Sequence, residues 1–461
     1  MELTLTANTI RGLAMDGVQA ANSGHPGMPM GMADVGAVLW LNYLKHNPEN
    51  PQWVDRDRFI LSAGHGSMLI YSLLHLSGYD LPIEELKNFR QWGSKTAGHP
   101  EFGHTAGVET TTGPLGQGCT NGVGMAIAEE MVRARYNTAA QTIVDHYTYV
   151  IASEGEFEEG VSHEAFSLAG NHGLSKLIVF YDQNFISIEG DTHITYTDDV
   201  QQRMEAYGWH VQEIDGHDHA SIATSIEAAQ AETEKPSVII CNTKIGFGSP
   251  NKEGTGGVHG APLGEEEILL TKKNLGIPEE TFFVPEAVRD LFAARLEELQ
   301  KIEAQWNDTY SAWTAANPAL SREWNDAMAG KIPDLSGKLP EFEAGTTIAT
   351  RSASGQVIQA LAKEIPSLVG GSADLAPSNN TYMKGLGDIG RNAFEGRNFH
   401  FGVRELGMAA IMNGIQLHGG FRIFGGTFLV FADYVRPAAR LAALLGRSER
   451  HFHFRAGGEH Q

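Results

Sequence analysis

An apolar run from Tyr147 to Ala152 stops at Ser153-Glu154-Gly155, a helix-like segment follows, and a second apolar run, Leu177 to Tyr181, stops at Asp182-Gln183-Asn184. That order leaves a chain few options beyond two parallel strands joined by a helical crossover. Both turns then lie at the carboxyl ends of their strands, the edge where α/β sheets take their ligands. Glu154, Asn184 and nearby backbone carbonyls would offer an all-oxygen site there, suited to a hard cation such as Mg²⁺.

The alternation extends in both directions. Helical periodicity covers about 4–22, 31–44, 67–77 and 116–136, and strand-like runs fall at 147–152, 176–181, 209–214 and 237–243. Helices are expected between them near 160–171, 198–207 and 219–232. The class is therefore α/β, with a doubly wound parallel sheet. From about 285 to 330 the chain reads as charged helix carrying Trp306, Trp313 and Trp324, and the Pro/Gly-rich run that follows is the natural linker, 331–345. A second α/β unit begins beyond it: helix 352–364, strand 367–371, strand 398–402, helix 404–418, strand 421–427 and helix 429–445. The next segment, GRSERHFHFRAGGEHQ, interrupts every apolar pair where another buried strand is expected, so the second unit reads as incomplete with an atypical tail, 446–461.

The 461 residues carry a net charge of −22, which argues against nucleic acid or an anionic membrane as partner. Two cysteines, Cys119 and Cys241, form no framework and point to a reducing cytoplasm. The N-terminus is amphipathic rather than of signal-peptide type. Nineteen histidines occur without Cys/His zinc spacing, which favours hydrogen bonding or proton transfer over metal binding.

Four histidines sit in separate glycine-rich turns: His25 in SGHPG, His65 in SAGHGS, His99 in GHPEFGHTAGVETTTGPLGQG and His259 in GGVHGAPLG. Each alone is an ordinary turn histidine; four together argue for a shared site. His65 begins a helix, where backbone N–H groups favour anions. Farther on, Glu405 starts a helix in FGVRELGMAAIMNGI, and Phe428, Phe431 and Tyr434 form one helical stripe, a pattern that usually marks core. Asp374 and Ser378 lie in the loop GGSADLAPSN, and Arg351 stands near a helix start.

The Ser153-Glu154-Gly155 turn, with Asn184 thirty residues later, resembles the thiamine-diphosphate motif Gly-Asp-Gly…Asn, with Glu in place of Asp. SGHPG, GHPEF with GPLGQG, EGVSHEA, YDQNFISIEG, VHGAPLG, GGSADLAPSN, HFGVRE and TFLVFADYVRPA stand in the order and approximate spacing of the transketolases, over residues 1 to about 445. This resemblance implies two thiamine-diphosphate-binding domains. Residues 1–330 would be a diphosphate- and metal-binding domain with a helical extension, and 346–461 a partial pyrimidine-binding domain. It implies transfer of a two-carbon ketol group from a ketose phosphate to an aldose phosphate through a thiamine-diphosphate carbanion, in the pentose phosphate or carbon-fixation pathways. The alternatives are a non-catalytic, cofactor- or subunit-binding relative and a ketol transferase like dihydroxyacetone synthase.

By the same resemblance Glu154, Asn184 and the carbonyl of Ile186 would hold Mg²⁺, with Ca²⁺ or Mn²⁺ as alternatives. Gly155, His65 and His259 would contact the diphosphate, Gly113 and Leu115 the bent cofactor, and Asp374 the cofactor as well. Glu405 would hold the pyrimidine, Phe428, Phe431 and Tyr434 would wall it, and Glu159 and Glu164 would link to it across a homodimer interface. His25, His99 and His259 would bind substrate and move protons, and Arg351 and Ser378 would hold its phosphate. Family sequences continue into a THDS…GEDGPTHQ segment, the rest of the second domain and a third domain, so the chain reads as a C-terminally truncated or frameshifted member.

Overall fold

A computed structural model describes residues 1–446 and the backbone of 455–457. Along the chain the elements are α1 (Glu2–Ala21), α2 (Gly27–Gly31), α3 (Ala33–Asn42), β1 (Arg58–Leu61), α4 (Met68–Leu76), α5 (Ile83–Lys87) and α6 (Gln117–Tyr136). There follow β2 (Thr148–Ser153), α7 (Glu154–Glu158), α8 (Gly160–His172), β3 (Leu177–Gln183), β4 (Ile186–Ser187), β5 (Gly190–Asp191), α9 (Val200–Ala206), β6 (His210–Asp215), α10 (His219–Ala231) and β7 (Ser237–Asn242). Next come α11 (Glu265–Leu275), α12 (Glu286–Ala316), α13 (Pro318–Met328), α14 (Thr350–Glu364), β8 (Leu368–Ser372), α15 (Ala376–Asn379), β9 (Asp388–Ile389), β10 (Asn398–His400), α16 (Glu405–His418), β11 (Arg422–Phe428), α17 (Ala432–Leu444) and β12 (Arg455–Gly457). The doubly wound reading holds: each large sheet is wholly parallel.

The contacts divide the chain differently from a single cut at 331–345. One compact unit takes Met1–Cys119, His146–Ser162 and Ser175–Trp306; the other takes Thr120–Asp145, His163–Leu174 and Asn307 onward. The first unit holds the sheet β1-β2-β3-β7-β6. Its strands β1, β2, β3 and β7 are buried on both faces and so read as continuous apolar runs rather than alternating ones, whereas β6 at the edge is half-buried to exposed. The core joins Ile10, Leu13, Val38, Trp40, Leu69 and Leu73 of the helices to Phe59, Tyr149, Ile151, Phe180 and Ile239 of the strands. In register, Ser153 stands opposite Asp182, and Asp182 opposite Cys241, so the turns after β2, β3 and β7 emerge side by side.

The second unit holds the sheet β12-β11-β8-β10-β9. In it α6 and α16 cross closely: a Cβ on Gly124 would land on the carbonyl of Ile411, and one on Gly414 on the carbonyl of Asn121. Only glycine permits that approach, and the Asn121 amide then donates to the Ala410 carbonyl at 2.8 Å. Trp313 donates to the carbonyl of Tyr136 and packs on Trp324 with ring centroids 5.9 Å apart, anchoring α6 to the α12–α13 pair.

Two expectations are corrected here. The tail does contribute a strand: β12 pairs in parallel with Gly426–Phe428 of β11, because main-chain hydrogen bonding does not require an apolar pattern. The remaining tail residues, 447–454 and 458–461, lie outside the described residues. Nor do Phe428, Phe431 and Tyr434 form one helical stripe in the core. Phe428 closes β11, Phe431 ends a 3₁₀ turn and Tyr434 lies in the first turn of α17. Spacing in threes mimicked a helix across a strand end. Tyr434 is 63% exposed. Among the described residues no helix is long and apolar enough to cross a membrane.

Candidate functional site

A cavity of about 270 Å³ opens at the carboxyl edge of the first unit's sheet, lined by His25, His65, Gly113, Leu115, Glu154, Gly155, Asp182, Asn184, Ile186 and His259 among others. The topology explains its composition. The turn after β1 supplies His65, the turn after β2 supplies Glu154 and Gly155, and the turn after β3 supplies Asn184 and Ile186. His25 enters from the turn between α1 and α2, and His259 follows a 3₁₀ turn.

The four turn histidines do converge. Ring centroids lie 5.3 Å apart for His25–His65, 5.7 Å for His25–His259, 6.4 Å for His25–His99 and 5.3 Å for the stacked pair His65–His259. Burial, with a smaller contribution from neighbouring rings and Arg90, lowers His25 to about 4. Burial likewise takes His65 to about 3 and lowers His99 and His259. All four are therefore neutral at neutral pH, each with one donor and one acceptor nitrogen.

The acidic turn is the electrostatic counterpart. Glu154 is 3% exposed and is pushed up to about 9, first by burial and then by Asp182. Asp182, fully buried, rises to about 6 although Thr243 and the Asn184 amide donate to it. The backbone N–H of Phe185 donates to Glu154, and that of Ile186 to the Asn184 oxygen at 3.0 Å. Among the described residues no group of three His, Cys, Asp or Glu side chains is suited to a metal. The donors are instead two buried carboxylates, one amide oxygen and backbone carbonyls. That all-oxygen set, with no cationic side chain bonded to it among the described residues, fits a hard divalent cation, whose charge would favour the ionised form of both carboxyl groups.

Beside it, a Cβ on Gly155 would lie 3.1 Å from Leu115 Cδ1, so the leucine packs directly on the turn. Glu156, fully buried, is pushed up to about 7 by burial. Glu159, at the end of α7, is exposed.

The other expected residues belong to the second unit and gather at the carboxyl edge of its sheet. Exposed Asp374, in a left-handed conformation (φ 61°), and half-buried Ser378 follow β8, and Glu405 opens α16 after β10. Arg351 lies at the start of α14, where a Cβ on Gly355 would meet Asn380. Glu164 accepts from the N–H of Gly407 at 2.6 Å; burial and nearby Glu405 raise it despite that bond. The Phe428–Phe431 and Phe431–Tyr434 centroids are 6.3 and 6.2 Å apart, forming a continuous aromatic surface.

Sequence reasoning missed Arg90 and passed over Asp182. Arg90 adopts φ 61°, donates to Ser23 Oγ at 2.7 Å and brings its guanidinium 3.5 Å from His25 Nδ1. No motif marks it. Asp182 sat in plain view at the end of the second apolar run, but its pairing with Glu154 depends on strand register.

Comparison with known proteins follows this geometry. The family model for the transketolase thiamine-diphosphate-binding domain matches residues 3–333, and that for the transketolase pyrimidine-binding domain matches 346–459. The second match passes beyond residue 445, where the motif resemblance stopped. Transketolase of Geobacillus stearothermophilus is 53% identical over 449 residues, covering 96% of this chain and 67% of its own. Transketolase 1 of Escherichia coli K12 is 55% identical over 446 residues, covering 95% and 67%. The transketolase structure from Leishmania mexicana superposes with a TM-score of 0.96 at 46% identity, covering 98% of this chain and 68% of that one. A Pichia stipitis transketolase in complex with sedoheptulose 7-phosphate gives 0.95 at 44% identity, covering 99% and 68%. The chain thus spans about two thirds of the length of these relatives. With both family models matched in sequence order, the chain belongs to the transketolase family.

Proposed function

We propose that this chain binds thiamine diphosphate with a divalent cation in the cavity of the first unit. With it, the chain transfers a two-carbon ketol group between sugar phosphates, as the transketolases do. The observation that carries the reading is the convergence of three neutral histidines, His25, His65 and His259, on the cavity that also holds the acidic turn, with His99 beside His25. Bound thiamine diphosphate supplies the electron sink for breaking and making the carbon–carbon bond beside the ketol carbonyl.

In this reading Glu154, Asn184 and the Ile186 carbonyl hold Mg²⁺, or Ca²⁺ or Mn²⁺, and Gly155, His65 and His259 contact the diphosphate. Leu115 presents a wedge from the Gly113 loop. Glu405 holds the pyrimidine, Asp374 adds a contact, and Phe428, Phe431 and Tyr434 keep water away. Half-buried and exposed aromatics support that role better than a core one does, since they have surface to give a ligand or a second copy. A homodimer, with Glu159 and Glu164 tied to the pyrimidine contacts, completes the arrangement. His25, His99 and His259 accept and return protons at sugar hydroxyls, for which neutral imidazoles are suited. Arg351 and Ser378 hold the sugar phosphate, Arg through paired N–H donors. On this basis 1–330 serves the diphosphate and metal, and 346–461 the pyrimidine. Two buried thiols without a disulfide support a reducing cytoplasm as the setting; the pentose phosphate pathway follows from the family to which the chain belongs.

The test is titration with thiamine diphosphate and Mg²⁺, followed by ketol transfer from xylulose 5-phosphate to ribose 5-phosphate. Saturable cofactor binding with transfer is expected. Binding without transfer would leave the non-catalytic alternative, and absence of binding would sink the reading.

A further inference from the structure

Ser153 and Glu156, on either side of Glu154 and Gly155, are partners. Ser153 caps α7, its side chain accepts from the N–H of Glu156, and the Glu156 carboxylate accepts from the Ser153 N–H at 3.0 Å. This is a complete capping box. The carboxylate does more than cap. Its other oxygen accepts from the Ser62 hydroxyl and from the Gly116 N–H, the latter at 3.4 Å. Ser62 in turn accepts from the Cys119 N–H at 2.6 Å. Glu156 and Ser62 are both fully buried.

These bonds tie together three segments of the cavity wall. Ser62 lies at the end of β1, three residues before His65. Gly116 follows Leu115. Ser153 precedes Glu154 and Gly155. Glu156 itself is not among the residues that line the cavity. A buried carboxylate that does not face the cavity and, among the described residues, has no cationic partner bonded to it is costly to keep, and its three donors are what hold it.

We propose that Glu156 is a positioning residue for the cofactor site: one carboxylate fixes the His65 turn, the Leu115 loop and the Glu154–Gly155 turn relative to one another before cofactor arrives. The proposal rests on the thiamine-diphosphate reading above. It gives Ser153 a purpose, because a glycine at that position could supply the backbone N–H but not the side-chain half of the box.

The experiment is calorimetric titration of the full chain with thiamine diphosphate and Mg²⁺, well below the unfolding temperature. Wild type is compared with Glu156→Ala, Glu156→Gln and Ser153→Gly, and the cofactor-free melting temperature is recorded for each. Loss of a buried charged hydrogen-bond hub should weaken cofactor binding by about tenfold or more in Glu156→Ala. Glu156→Gln, which keeps one acceptor oxygen, should lie between it and wild type, and Ser153→Gly should show the smallest loss. A purely structural role would lower melting temperatures and leave the folded proteins' affinities unchanged, which would overturn the proposal. If Glu156→Ala does not fold, the graded loss in Glu156→Gln and Ser153→Gly decides. Failure of wild type itself to bind would instead sink the thiamine-diphosphate reading, before any variant is compared.

Discussion

One methylene separates Glu154 from the aspartate that the thiamine-diphosphate motif carries at this turn. Mg²⁺ demands near-ideal octahedral geometry and short bonds, whereas Ca²⁺ tolerates a range of both. The longer arm must therefore shift either the ion or the turn, and the turn is pinned by the N–H groups of Asn184 and Phe185. Glu154→Asp should raise Mg²⁺ affinity in the presence of thiamine diphosphate by on the order of tenfold, with a smaller change for Ca²⁺. Parallel titrations with the two ions read this out; an unchanged Mg²⁺-to-Ca²⁺ ratio would mean that side-chain length does not set the site's selectivity. At this scale the sequence was informative wherever spacing encodes chemistry, as for Glu154 and Asn184. It was silent on Arg90, whose approach to His25 depends on a left-handed backbone that no local motif announces.

Among the elements, the α6–α16 crossing is an exacting contact. Replacing Gly124 by Val would drive a branched side chain into the Ile411 carbonyl, and neither helix has room to yield. Overpacking of this kind costs about 1–3 kcal/mol or more. Gly124→Val should therefore lower the melting temperature by several degrees or abolish folding. Gly160→Ala, where nothing lies within 4 Å of the new Cβ, serves as control and should change stability by less than about 0.5 kcal/mol. A matched pair of melting temperatures would refute the packing argument. Long elements were legible because buried parallel strands are continuous apolar runs and the helices between them are periodic. Short ones were not: the β4–β5 hairpin and β9 have two residues per strand, too few to show any period. The end of β11 was misread because aromatic spacing there satisfied a helix template that the backbone does not follow.

For the molecule as a whole, buried titratable groups shape the acid limb of stability. His46, 3% exposed, hydrogen-bonds the Tyr79 hydroxyl at 3.0 Å and is lowered to about 3, first by burial. Below pH of about 6.5 the unfolded chain gains a proton at this residue that the folded chain refuses until about pH 3. Stability from this source is therefore intact at neutral pH and falls as pH drops through that window, by at most about 1.4 kcal/mol per pH unit. Buried carboxylates with raised values, Asp57 among them at about 6, act in the opposite sense, so the clean readout is a difference. His46→Gln should be less stable than wild type at pH 7, and the gap should narrow on acidification, as denaturant titrations at a series of pH values would show. A constant gap would mean that the ring titrates in the folded protein as it does in the unfolded chain. The parallel-sheet architecture was readable in advance at this scale. The division into discontinuous units was not, because it depends on which helices find glycine-lined faces far along the chain.

That division has a consequence for biosynthesis. The Asn121 amide finds its carbonyl at Ala410, 289 residues later. At about 5–20 residues per second, α6 would leave the ribosome roughly 15–60 s before α16 exists to receive it. During that interval the face of α6 that carries Asn121 and Gly124 stands without its partner in the nascent chain. A holding chaperone, or transient burial of α6 against its own neighbours in sequence, must bridge the wait.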